Sequence, residues 1–403
     1  MNYQLSRRYF LKSSAAVALS QLLGGCARGN AVSQILFLQN SIPRQLINSF
    51  RKSLDIDGKV EFKPQSHIPQ IFDSLYTLQQ DKDLDRGIRE AINKIIDKIL
   101  NRSQISPSLV TLGDAWLSTA IARNLIEPLP TQSLSNWGNL PESWQKLVQR
   151  DDEGYLAENG NVYGAPYRWG STVIAYRSDK LEPLNLTMKD WQDLWQPKLR
   201  DRLSLLDSPR EIIGLTLKKL GQSYNTANLD SVADLKTELL ALQQQTKLYS
   251  SDRYLEPLIL GDTWVAVAWS TDILPLQKRY PDIKFIIPQS GTSRWADLWV
   301  QPKLPEAISV PNDSKPNAVY SWIDYCWQLE TAEKISQFTD GVSPILEAVK
   351  LQSLSQPLQD NTFINSEILN SDKSEFLLPL KPETERQYRD LWIELRQSNQ
   401  SKK

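Results

Sequence analysis

Val162-Tyr163-Gly164-Ala165-Pro166-Tyr167-Arg168-Trp169-Gly170-Ser171 runs directly into Thr172-Val173-Ile174-Ala175-Tyr176. The second half is β-branched and apolar, the composition of a buried strand. On either side of it the chain alternates strands with helices. Upstream, Ile35-Leu36-Phe37-Leu38 reads as a short buried strand, followed by a helix from Pro43 to Leu54 with Pro at its start. Lys59-Val60-Glu61-Phe62-Lys63 alternates as a second strand, and a helix covers 69–78. Residues 84–100 carry Leu84, Ile88, Ile92, Ile95, Ile96 and Ile99 at helical spacing opposite charges. Leu109-Val110-Thr111-Leu112 is a third strand, ended by Gly113-Asp114, and Trp116 opens the next helix.

Downstream the alternation resumes. Strands are expected at 203–206, 265–268, 284–287 and 295–300. Helices are expected at 211–220, 231–245, 274–278, near 315–329, at 331–338 and at 383–397. Such alternation places the chain in the α/β class with parallel strands, as two units joined by more than one crossing.

The first residues carry a different message. Ser6-Arg7-Arg8-Tyr9-Phe10-Leu11-Lys12 sets two adjacent arginines before the apolar run Ala15-Ala16-Val17-Ala18-Leu19, too short to span a bilayer. Arg7 and Arg8 mark export by the twin-arginine route. Leu23-Gly24-Gly25-Cys26 resembles the lipobox of bacterial lipoproteins. Cleavage before Cys26 and acylation of its sulfur would anchor the chain, each buried CH₂ contributing about 0.8 kcal/mol. Residues 1–25 are therefore expected to be a signal peptide, and the mature protein a membrane-anchored lipoprotein of the periplasm.

Removing those residues takes away three basic side chains and no acids. It leaves 43 basic against 47 acidic residues. That balance argues against a nucleic-acid partner. With Cys26 lipidated, Cys326 has no intrachain partner, so no disulfide is expected. The single histidine, His67, argues against multi-histidine metal sites and histidine-based triads. No CxxC, HExxH or phosphate-binding glycine loop is present, and neither an enzyme nor a resident cofactor is expected. Thirteen tryptophans suit a chain with aromatic ligand walls as well as a packed core.

Several segments together resemble the spermidine/putrescine-binding periplasmic proteins, the extracellular solute-binding components of ABC importers. Tyr163-Gly164-Ala165-Pro166-Tyr167-Arg168-Trp169-Gly170 is similar to the family's first interlobe crossing. Asp190-Trp191-Gln192-Asp193-Leu194-Trp195-Gln196-Pro197 resembles its W-x-D-L-W-x-P element. Asp207-Ser208-Pro209-Arg210-Glu211 stands at its strand-end carboxylate cluster. Ala268-Trp269-Ser270 and Gly291-Thr292-Ser293-Arg294-Trp295-Ala296-Asp297 resemble two later pocket segments.

The resemblance implies a two-lobed type II periplasmic-binding fold with a ligand cleft between α/β lobes. Lobe 1 is expected to hold 26–171 and 296–342, and lobe 2 to hold 172–295 and 343–403. The implied ligand is a polyamine-like cation, the partner an ABC permease in the inner membrane, and the chain a monomer. Glu211, Trp269, Trp295, Asp297 and Ser251 match family ligand positions. Ser208 stands where a second carboxylate is usual, and Asp114, Trp116 and Trp169 join the expected pocket. Gln39-Asn40-Ser41 lacks the aromatics usual there, and Gly113-Asp114 replaces a Ser/Thr-aromatic turn. A shorter diamine or another cationic or zwitterionic solute fits these departures too.

Elementary physics points to similar residues. A polyamine is an alkyl rod carrying ammonium groups, and each charge taken out of water costs several kcal/mol, about, unless a carboxylate meets it. Tryptophan faces between the acids add roughly 0.5–2 kcal/mol of cation–π attraction. Trp295 and Asp297, two apart on a strand, project to one face. Three other readings stay open: the same fold holding ferric iron through tyrosines, an exported enzyme, and a ligand-free surface scaffold.

Overall fold

A computed structural model of the protein describes residues 33–53, 60–80, 107–304 and 318–400. Arg7, Arg8, Cys26 and the isoleucine stripe at 84–100 lie outside the described residues.

The chain folds as two α/β lobes of the type II periplasmic-binding kind. The first comprises β1 (Ser33–Leu38), α1 (Arg44–Ser53), β2 (Val60–Gln65), α2 (Ile68–Gln80), β3 (Pro107–Gly113) and α3 (Asp114–Ala122). β1 lies between β2 and β3 and runs parallel to both. Helix α1 turns Leu46, Ile47 and Phe50 inward. There Phe50 and Phe62 close on Trp322, with ring centroids 4.9 and 4.7 Å away. Trp322 lies on α-helix Ala318–Cys326, so a distant segment completes this core.

Next comes β4 (Ala165–Arg177), thirteen residues long and buried over its first eleven. Its first part pairs with the long strand Ser293–Pro302, and that strand pairs in turn with β3. From Thr172 onward β4 pairs instead with Val265–Trp269 and Ile283–Ile286. One strand therefore belongs to two sheets, and the change of partner falls between Ser171 and Thr172. A third passage of the chain meets β4 where Trp169 and Val342 exchange backbone hydrogen bonds of 2.8 and 2.9 Å.

The second sheet continues through β5 (Leu203–Leu205), which pairs in parallel with both Val265–Trp269 and β6 (Thr246–Tyr249). Helix α4 (Pro209–Lys219) starts for legible reasons: Ser208 caps it, Pro209 holds its first position, and Lys218 and Lys219 close its last turn. α5 (Leu235–Gln245) and the C-terminal helix Pro382–Gln400 pack on the same lobe.

The strand β6 has no counterpart among the sequence expectations. Thr-Lys-Leu-Tyr is short and half polar because it forms the edge of its sheet, where Lys247 faces water. The expected helix at 231–245 begins four residues later, after a single tight turn at Leu229–Ser231.

Candidate functional site

Within a parallel sheet, loops at the carboxyl ends of the strands form the crevice where ligands bind. In the first lobe those ends carry Gln39–Ser41 after β1 and Asp114 after β3. In the second they carry Ser208 after β5, Ser251 after β6 and Ser270–Asp272 after Val265–Trp269. The two crossing strands run between these edges.

Proline fixes the geometry of the crossing. Pro166 has no backbone N–H, and the ladder slips beside it: Asp297 pairs with Arg168, but the next residue, Leu298, pairs with Pro166. Tyr167 is the extra residue of this bulge, and a bulge re-aims side chains. Tyr167 is fully buried, stacks on Trp299 at 4.4 Å, and donates its hydroxyl to Ser41 Oγ at 2.8 Å. Its hydroxyl also lies 3.2 Å from Thr111 Oγ1. Ser41, in the segment lacking aromatics, thus helps fix the crossing strand.

Arg168 makes the strongest polar contact at this crossing. Its Nη2 and Nε donate to Asp297 Oδ2 at 2.5 and 2.8 Å, and its Nη1 donates to the Thr339 carbonyl at 3.3 Å. Arg168 is 5% exposed and Asp297 2%. The guanidinium lies 5.9 Å from the ring centroid of Trp295. Trp295 in turn packs over Gly170, where a Cβ would fall 2.3 Å from the indole and 2.5 Å from Ser270 Oγ. Any larger residue there would displace Trp295 or Ser270.

The remaining expected residues distribute as follows. Trp269 is half-buried, its ring set edge-on to Tyr254 at 5.9 Å. The Tyr254 hydroxyl accepts the Trp269 backbone N–H at 3.3 Å and donates to Asp272 Oδ2 at 2.6 Å. Asp114 is buried and accepts the Ala296 N–H at 3.1 Å, stitching the β3 turn to the crossing strand. Burial raises its carboxyl pKa to about 7, against the lowering pull of that hydrogen bond and of Arg150. Glu211 is 4% exposed and accepts the Ser293 hydroxyl at 2.7 Å. Burial lifts its pKa also. Ser208 Oγ accepts the Glu211 N–H at 3.4 Å, and Ser251 Oγ accepts the Asp207 N–H at 3.1 Å, which joins two neighbouring loops. Trp116 leans on Phe72 at 4.6 Å.

Trp169 stands apart from the other expected residues. It pairs with Ala296, one step from the Trp295–Gly170 pair, so its side chain takes the opposite face of the sheet from Trp295 and Asp297. There it lines a separate cavity of about 220 Å³ with Val342, Leu346, Glu347 and Ile364. The Arg294 guanidinium stacks over it at 4.3 Å. Alternation along the strand decides this, because Trp295 and Trp169 cannot both face the cleft in this register.

Two charged residues at the crossing were absent from the expected pocket. Arg168 sits inside the quoted opening stretch, but its consequence depends on the register against Asp297, which no local pattern encodes. Asp272 reads from sequence as an acid in the first turn of a helix, which it also is. Among the described residues, no group of three or more His, Cys, Asp or Glu stands ready to hold a metal ion.

Comparisons with known proteins agree with this architecture. The family model for the bacterial extracellular solute-binding protein matches residues 105–370. The spermidine/putrescine-binding periplasmic protein of Salmonella typhimurium is 26% identical over 231 residues, 57% of this chain and 61% of that protein. The putrescine-binding periplasmic protein PotF of Escherichia coli is 26% identical over 260 residues, 60% of this chain and 66% of that protein. The aligned stretch thus spans 61% and 66% of the length of these two curated relatives. Among solved structures, the spermidine/putrescine ABC transporter substrate-binding protein PotD from Streptococcus pneumoniae superposes with a TM-score of 0.70 at 16% identity, covering 91% of this chain and 98% of that one. The Tp0655 lipoprotein of Treponema pallidum gives 0.62 at 17%, covering 90% and 98%.

Proposed function

This chain belongs to the bacterial extracellular solute-binding proteins, and from that premise we propose that it captures a small organic cation of the polyamine kind and delivers it to an ABC importer. It performs no bond-making chemistry on this reading. The observation that carries it is the placement of Trp295 against Gly170 and of Trp269 opposite Thr172, two residues on along the crossing strand, with Tyr254 joining Trp269 to the exposed Asp272. An aromatic wall and an accessible acid are what an alkylammonium ion needs on leaving water. Both curated relatives described above carry putrescine in their names, which supports the same ligand class.

The lobes would comprise 26–171 with 296–342 and 172–295 with 343–403, closing about the passages at Ser171–Thr172 and Val342. Closure around a ligand by such hinges is a known transition. Twin-arginine export through Arg7 and Arg8, and lipid on Cys26, would place the protein on a membrane facing the periplasm. Substitution of Cys26 by Ser should release it from the membrane fraction.

Calorimetric titration of the purified chain with putrescine, spermidine, glutamate and ferric citrate tests the ligand class. Saturable binding of an amine alone, accompanied by a change in tryptophan fluorescence, is the expected result. Binding of ferric citrate or glutamate instead would overturn it.

A further inference from the structure

We infer that the cleft takes a solute with a single cationic group, because Arg168 already fills the place beside Asp297 where a second would sit. This rests on the amine-binding reading above and narrows it.

The carboxyl groups around the crossing strands decide the matter one by one. Asp297 gives a single oxygen to both Nη2 and Nε of Arg168, with the pair almost wholly out of water. A ligand ammonium at that oxygen would have to expel the guanidinium from the Thr339 carbonyl as well, leaving a buried cation with no counter-charge. If the guanidinium stayed, the ammonium would meet a like charge at contact range in a dry site. Asp114 is committed to the Ala296 N–H and has Arg150 near it. Glu211 is committed to Ser293 and lies inside the second lobe.

Asp272 differs. It is water-exposed, is anchored by the Tyr254 hydroxyl, and lies three residues after Trp269, in the first turn of the next helix. Its helix begins at Ser270, whose Oγ accepts the Ser171 N–H at 3.2 Å and lies beside Gly170, so Asp272 stands at the same crossing as Arg168. Of these four carboxylates Asp272 alone is open, so on this inference it receives one ammonium, and the rest of the ligand lies along apolar surface toward a pair that is already neutral. The class is a primary alkylamine or another compound with one positive end. A neutral serine at Ser208 is in keeping with it.

The test compares putrescine with butylamine, which has the same four carbons and one ammonium. In the unaltered protein the two should bind within about threefold of each other. Arg168→Met frees Asp297 and should strengthen putrescine binding tenfold or more while leaving butylamine within threefold. Asp272→Asn should weaken both tenfold or more. A tenfold preference of the unaltered protein for putrescine would overturn the inference and leave the amine-binding reading intact, whether or not the Arg168 variant folds. Failure of both amines and of spermidine to saturate the unaltered protein would overturn the two together.

Discussion

Arg168 and Asp297, 129 residues apart in sequence, form a buried ion pair in which one carboxylate oxygen accepts from both Nη2 and Nε of the guanidinium. The pair holds two of the crossing strands together across the Pro166 bulge, and the third Arg168 bond, to Thr339, brings in the segment leading to Val342. The counter-charge to Asp297 is built into the chain.

Replacing Arg168 by Met should destabilise the ligand-free protein by about 3–5 kcal/mol, since a buried carboxylate is left without its partner. Converting Asp297 to Asn in the same chain should recover about half of that or more. Urea unfolding of the single and double variants measures both. A purely local packing loss would instead leave the double variant as unstable as the single.

Gly170→Ala should cost about 1–3 kcal/mol, because the added methyl enters the volume of the Trp295 indole and Ser270 Oγ. Trp295 must shift to admit it, so ligand affinity should fall along with stability. Tryptophan emission compared between the two proteins reports the shift directly.

Asp114 gives a pH dependence with a definite sign. Its folded pKa stands at about 7, well above the 3.8 of an unperturbed aspartate. The stabilisation tied to its proton is therefore complete below the unfolded value and is lost as pH rises through about 7. The groups facing it are Arg150, the Ala296 and Ala115 N–H donors and Asp297. Asp114→Asn keeps an acceptor for Ala296 and removes the titration. The variant should gain about 1–4 kcal/mol on the parent between pH 4 and pH 8, a difference that denaturation at the two pH values resolves.

On the reverse face, Glu347 accepts the Trp144 Nε1–H at 2.8 Å and pairs with Arg294, whose guanidinium stacks between Trp144, Trp169 and Phe376. Glu347→Ala should destabilise the fold by about 2–3 kcal/mol, since Arg294 keeps a largely buried charge without a partner. Amine affinity should change less than threefold, because Trp295 and Asp297 lie on the other face. An equal loss in both measurements would place Trp169 and Glu347 in the ligand site after all.

The strands that carry the site were readable because they are apolar and β-branched: Ile35–Leu38, Leu109–Leu112, Thr172–Tyr176 and Val265–Ala268 all fall inside observed strands. Helix α4 was expected at 211–220 and starts two residues earlier, because Ser208 caps it and Pro209 takes its first position. The edge strand Thr246–Tyr249 did not, since one polar, exposed face leaves little apolar signal. Of the tryptophans, Trp295 and Trp169 look equivalent in one dimension. The pairing of Gly170 with Trp295, and of Ala296 with Trp169, sends them to opposite faces.

Sequence by itself determined the α/β class, the order of the elements and the membership of the solute-binding family, because local periodicity and motif spacing survive without coordinates. Tertiary structure alone decided which acids remain open. Register and burial are properties of strands that meet from far apart in the chain, and only when Ser293–Pro302 lies beside Ala165–Arg177 does Arg168 fall opposite Asp297 and silence it.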